Sequence, residues 1–136
     1  MTPSEGPGDL GTPFDDLLGG AITQASASRV VLELPITPKL HQPYGVVHGG
    51  VYAAIAETTA SVGAALAVAS EGRGAVGVSN HTDFLHAVRE GTLRAEATPL
   101  SQSRSLQLWQ VAVTDDQGRL VAHSKVKLYN VRRPEE

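Results

Sequence analysis

Val51 to Ala69 is a run of about 19 residues, rich in alanine, with no proline and a single glycine, Gly63. Such a run favours a helix about 28 Å long. It is apolar on nearly every face, so it belongs inside a fold rather than on its surface. Its many alanines point to close packing against a sheet. Gly49-Gly50 opens the run and Glu71-Gly72-Arg73-Gly74 closes it. Whatever this chain becomes, it must wrap something around that helix.

The wrapping material is β-rich. Ser28 to Ile36 alternates and is β-branched, which reads as a strand. After the helix, four more strands are predicted at about Ala75–Leu85, Thr92–Leu100, Arg104–Thr114 and Arg119–Tyr129. Turn signals separate them at Arg89-Glu90-Gly91, Ser101-Gln102-Ser103 and Asp115-Asp116-Gln117-Gly118. The later pairs look like antiparallel hairpins. Thr12-Pro13-Phe14-Asp15-Asp16-Leu17-Leu18-Gly19 reads as a short helix, with a Thr cap, Pro in the first turn and Gly at the stop. Residues 1–11 are rich in Gly and Pro and are expected to be disordered. With 136 residues, one domain over 12–136 is the expectation. The fold class is α+β, an antiparallel sheet wrapped around one long central helix.

Composition narrows the function. The formal net charge is −3 and aromatics are 4%, so neither a basic surface nor base stacking favours nucleic acid as a partner. No wholly apolar run reaches the roughly 20 residues of a membrane span, and the N-terminus lacks signal-peptide character, so a cytoplasmic, membrane-free protein is expected. The chain has no cysteine, hence no thiolate nucleophile or disulfide. His41, His81, His86 and His123 show no metal-ligand spacing, so no metal site is expected. Trp109, on a strand, reads as core or interface.

Two features carry chemistry. Glu57 is a lone carboxylate within the apolar helix. Burial there is costly unless the group is paired or protonated, and it would raise the pKa toward the range of a general base or nucleophile. The alternative is a structural Glu bonded to a backbone or basic group. His48-Gly49-Gly50 is the second. The first N–H groups of a helix have no intrahelical acceptor and lie at its positive end, where an oxyanion would be stabilised; a plain glycine turn is the alternative. Gly49 and Glu57 are about 12 Å apart along one helix. One reacting carbonyl cannot touch both within a chain. If both are catalytic, a two-fold dimer must share its sites between subunits.

The stretch from Gln42 to Glu57, Gln-Pro-Tyr-Gly-Val-Val-His-Gly-Gly-Val-Tyr-Ala-Ala-Ile-Ala-Glu, resembles the hot-dog-fold thioesterases. Within them it is most similar to the branch of the phenylacetate-pathway enzymes and the Arthrobacter-type 4-hydroxybenzoyl-CoA thioesterase. The likeness continues through Asn80–Leu85, Val88–Gly91, Ser103–Gln110 and Gly118–Ala122. It implies Glu57 as nucleophile or general base, and Gly49 as the residue whose N–H polarises the thioester carbonyl. It implies that His48 shapes the loop at the helix start and that Gln42 lies near the reacting carbonyl. Ser61, one turn beyond Glu57, matches a hydroxyl that orients the attacking water. For coenzyme A it points to Arg89, Ser103 and Arg104, with Arg132 or Arg133 as weaker options.

The function implied is hydrolysis of an acyl-CoA thioester, with an aromatic acyl group foremost and short or medium aliphatic groups open. No cofactor is needed. A homodimer with shared sites, itself pairing into a tetramer, is the expected assembly. The rivals are a hot-dog hydratase or dehydratase, whose His and acid set the motif does not match, and a non-catalytic acyl-CoA binding or sensing module.

Overall fold

A computed structural model describes residues 11–133. The disorder expected over residues 1–11 lies outside these, apart from Gly11. The first element is the short helix α1 (Pro13–Leu18). Thr12 caps it through a reciprocal pair of hydrogen bonds with Asp15, and Gly19 ends it in the left-handed region at φ 92°. Strands β1 (Ala21–Ala25) and β2 (Val30–Pro35) follow. A single turn of 3₁₀ helix, Pro38–Leu40, leads into the loop before the long helix α2 (Gly49–Val68). Then come β3 (Arg73–Phe84), β4 (Thr92–Gln102), β5 (Leu106–Thr114) and β6 (Leu120–Arg132).

The six strands form one antiparallel sheet in the order β1-β2-β4-β5-β6-β3. It curls around α2, which touches every strand. The alternation in β4, β5 and β6 aims Leu93, Ala95, Ala97, Trp109, Val111, Val113, Val126 and Leu128 at the helix, all buried. Trp109 is core, and its ring lies so close over Gly63 that a methyl group there would collide with it. Its Nε1–H donates to Gln107 Oε1 (2.9 Å), and Gln107 in turn donates to Ala64 O (3.0 Å) and Asn130 Oδ1 (2.7 Å). Every polar atom of that buried amide has a partner.

Three expectations need correction. The strand β1 went unseen because only Ile22 of its five residues is buried, which leaves almost no apolar pattern. The helix is not buried all round. Ala53, Ala54, Glu57, Thr58, Ser61 and Ala65 form a half-exposed stripe, because the sheet stops at the edge strand β3. Glu57 is therefore half-buried in the single chain. Finally, Gly49–Glu71 is long and apolar enough to cross a membrane, yet 56% of its most apolar window is buried within the fold. It is a core helix.

Candidate active site

The loop before α2 is held at many points. His41 and Val47 form a bridge, Val47 N–H donates to Val88 O (2.8 Å), and His48 N–H donates to Leu40 O (2.8 Å). Arg89 donates through Nη1 to the carbonyls of Tyr44 (3.1 Å) and Gly45 (3.4 Å). The side-chain oxygen of Gln42 accepts from Tyr44 N–H. An amide whose oxygen is so engaged leaves its NH₂ free to donate, and Gln42 lines the cleft at the helix start.

The helix start itself is selective. His48 is the N-cap, and its Nδ1 accepts from Gly50 N–H (2.8 Å). The neutral ring therefore carries its proton on Nε2. Val51 N–H donates to His48 O (2.9 Å). Gly49 N–H, at the first helical position, has no acceptor among the described residues. One donor at the positive end of a 20-residue helix thus remains for a ligand. The Phe84 ring lies directly over Gly49, 2.8 Å from where a β-carbon would stand.

Two turns on, Glu57 is held by a relay. Ser61 Oγ–H donates to Oε2 (3.3 Å), the pairing expected from i, i+4 spacing. Asn80 Nδ2 donates to Oε1 (3.3 Å) and to Ala53 O (3.0 Å). Thr82 Oγ1–H donates to Asn80 Oδ1 (2.7 Å), which fixes which way the amide faces, and Thr82 meets the buried Ser124 hydroxyl (2.7 Å). Gly77 lets the carboxylate lie against the β3 backbone, since a β-carbon there would run into it.

A bulge in β3 makes this possible. Gly77 pairs with Leu128 and Ser79 with Lys127, leaving Val78 unpaired. Upstream, Ala75 and Gly77 face the helix; downstream, Asn80, Thr82 and Phe84 do. The one extra residue shifts the alternation by one. Asn80, Gly77 and Phe84 were not singled out from the sequence. Their only trace there is the broken alternation around Val78, which a run of small and polar residues disguises.

The cleft beside Gly49 is lined by Gln42, Val46, Val47, Tyr52, Phe84, Leu85 and His86 among others, and Glu57 is not part of it. Within one chain the carboxylate and the free N–H stay apart. The three residues expected at coenzyme A separate as well. Arg89 lies by the start of α2, whereas Ser103 and Arg104 border a pocket with Ala67, Val68 and Glu71 at its far end. Arg73 joins them there, donating to the carbonyls of Arg104 (2.7 Å) and Asn130 (3.0 Å) and pairing in register with Arg132. No cluster of three or more His, Asp or Glu able to hold a metal ion occurs among the described residues.

A family model for the thioesterase superfamily matches residues 44–122, which span the helix start, Glu57 and the β3 bulge. The chain belongs to the thioesterase superfamily. It is 42% identical over 130 residues to the Mycobacterium tuberculosis protein Rv1847, provisionally named an esterase, covering 94% of this chain and 93% of that one. The structure of that relative superposes with a TM-score of 0.88 over 91% of this chain and 100% of the other. The Haemophilus influenzae thioesterase HI1161 gives a TM-score of 0.88 at 30% identity, covering 95% and 90% of the two chains. The 1,4-dihydroxy-2-naphthoyl-CoA hydrolase of Listeria monocytogenes is 30% identical over 112 residues, 82% of this chain and 90% of that one. The sheet wrapped on one helix is thus the hot-dog fold, and the protein is a thioester hydrolase.

Proposed function

We propose that this thioesterase hydrolyses an aromatic acyl-CoA in the cytoplasm, at two sites shared across a two-fold dimer. One observation carries the reading: the free Gly49 N–H and the Glu57 carboxylate sit on one helix but open onto different surroundings. Glu57 faces the unpaired edge strand β3, where a second copy would bring its own helix start. The substrate carbonyl then accepts hydrogen bonds from Gly49 N–H and the Gln42 amide of one chain. The partner's Glu57 takes a proton from water, whose oxygen attacks the carbonyl carbon. The C–S bond breaks, and coenzyme A leaves as a thiolate that collects the proton. Direct attack by the carboxylate, through a mixed anhydride, differs in one readout. In labelled water under single turnover, water that opens the anhydride at the Glu57 carbonyl leaves the label in Glu57 and none in the acid, whereas the direct water route puts one labelled oxygen into the acid.

Coenzyme A phosphates need cations. The group at the far end of α2 supplies them: Arg104, with Arg132, Arg133 and the Ser103 turn. Glu57 lies about 17 Å of helix from that end, so an extended thioester arm joins the two. In this reading Arg89 secures the Gln42 loop rather than the phosphates. The Listeria relative's named substrate, a dihydroxynaphthoyl thioester, is in keeping with an aromatic acyl group.

A thiol-release assay over a panel of acyl-CoAs, run on the wild type and on Glu57→Ala, tests the proposal. The expected loss is about 10²- to 10⁴-fold in kcat, with the oligomer and melting temperature unchanged. Wild-type turnover in the variant would remove Glu57 from the mechanism.

A further inference from the structure

The turn between β4 and β5, Ser103-Arg104-Ser105, is held from beneath by one residue. Asn130 on β6 is only 8% exposed, on the inner face of the sheet near the end of α2. Its Nδ2 donates to Ser103 O (3.0 Å) and Arg104 O (3.1 Å), and its backbone N–H donates to Ser105 O (2.9 Å). Every carbonyl of the turn is thus bound by Asn130, with Arg73 adding a second bond to Arg104 O (2.7 Å). The amide cannot face the other way. Trp109 Nε1–H can only donate, so the oxygen of Gln107 faces it (2.9 Å); Gln107 Nε2 then donates to Asn130 Oδ1 (2.7 Å), which leaves Nδ2 for the turn.

The peptide bonds here are trans, so each N–H points opposite to the carbonyl before it. With the Ser103 and Arg104 carbonyls drawn inward, the Arg104 and Ser105 N–H groups point outward. Neither has an acceptor among the described residues, and the exposed Arg104 guanidinium forms no ion pair among them. Successive outward N–H groups beside a cation make a donor set suited to an anion. Ser103 Oγ braces the turn instead, donating to Leu106 O (2.7 Å). Glu71, the acid at this mouth, is turned to Arg73 (3.7 Å). We propose that Asn130 is the positioning residue of the coenzyme A subsite: it aims this donor set at a phosphate by holding the carbonyls of the turn away from it. Asn130 does not touch the substrate. It governs affinity for the phosphates and leaves the chemistry at Glu57 alone.

This rests on the phosphate placement proposed above, and one experiment separates the two. The best-hydrolysed acyl group of the panel is presented on coenzyme A and on pantetheine, which lacks the phosphates. The readout is the ratio of kcat/KM between the two thioesters, which does not depend on how much of the enzyme is folded. Asn130→Asp keeps the shape and the bond from Gln107 but cannot donate to the turn. Asn130→Thr suits a strand and adds no charge, and its hydroxyl stops one bond short of the amide nitrogen. It carries the test if the buried charge of Asn130→Asp prevents folding. Each should lower the ratio about tenfold, through KM for the coenzyme A thioester, with kcat and acyl-pantetheine turnover held within about twofold. If Arg104→Ala lowers the ratio and both Asn130 variants leave it unchanged, the role of Asn130 is overturned and the phosphate site stands. If the ratio holds in all three, both fall. A loss confined to Asn130→Asp would be the work of its charge, and equal losses on the two thioesters would mark a structural residue; either overturns the inference. A ratio lowered by the Asn130 variants but not by Arg104→Ala keeps Asn130 in its role and gives the phosphate to the backbone N–H groups.

Discussion

At the scale of single residues, Gly77 separates positioning from stability. Its backbone is not in the left-handed region, so alanine is conformationally acceptable and favours a strand by about 0.5–1 kcal/mol over glycine. The added methyl nevertheless meets the Glu57 carboxylate. Gly77→Ala should keep or raise the melting temperature while kcat falls about ten- to a hundredfold and KM changes little. Steady-state kinetics beside thermal unfolding checks it; equal losses in both would mean that the strand, not the carboxylate, had moved. Glu57 and Ser61 were legible in the sequence because one helix carries both, four residues apart. Gly49 was legible because a helix start announces itself. Asn80 and Phe84 were not, since their roles depend on which way a bulged strand faces, and residue spacing does not encode that.

Among the elements, the helix and the later strands declared themselves through composition and period. The edge strand β1 did not, because an element lying at the rim needs little apolar surface. The pairing of β2 with β4 carries a charge effect of its own. Glu96 on β4 accepts from Arg29 (2.8 Å) and Arg94 (3.0 Å). These bonds, Arg29's foremost, hold its carboxyl below the ordinary 4.5 of a glutamate. A folded-state pKa below the unfolded one stabilises above pH 4.5, and that contribution fades as pH falls through the lower folded value. Both side chains are about a third exposed, at 33% and 39%, so screening limits the effect to roughly 0.5–1 kcal/mol. Glu96→Gln should lower the urea midpoint at neutral pH, and the two proteins should converge as pH falls below 4.5 through the lower folded value. A constant gap across that range would argue against ionisation as the cause.

For the whole molecule, the question is whether one chain holds a complete site. Gly49→Pro deletes the free N–H at a first helical position that proline suits, behind an extended His48 backbone (φ −64°, ψ 135°) that accepts a following proline; its ring carbons also push the exposed Phe84 ring aside. Alone it should cost about 10²- to 10³-fold in kcat. Mixed after co-refolding with Glu57→Ala, it should regain about a quarter of wild-type activity, since half the dimers are mixed and each has one intact site of two. If both groups served the same chain, the mixture would stay inactive.

The extra residue in β3 also makes Val78 the spare member of its strand. Removing it would leave Gly77 opposite Leu128 and Ser79 opposite Lys127, so plain alternation would keep Asn80, Thr82 and Phe84 beneath the helix. Pairing it, with Val78 taking the place opposite Lys127, would turn those three outward together and bring Ser79, His81 and Asp83 in. The carboxylate's surroundings therefore depend on one residue being left out of the ladder rather than on the length of the strand.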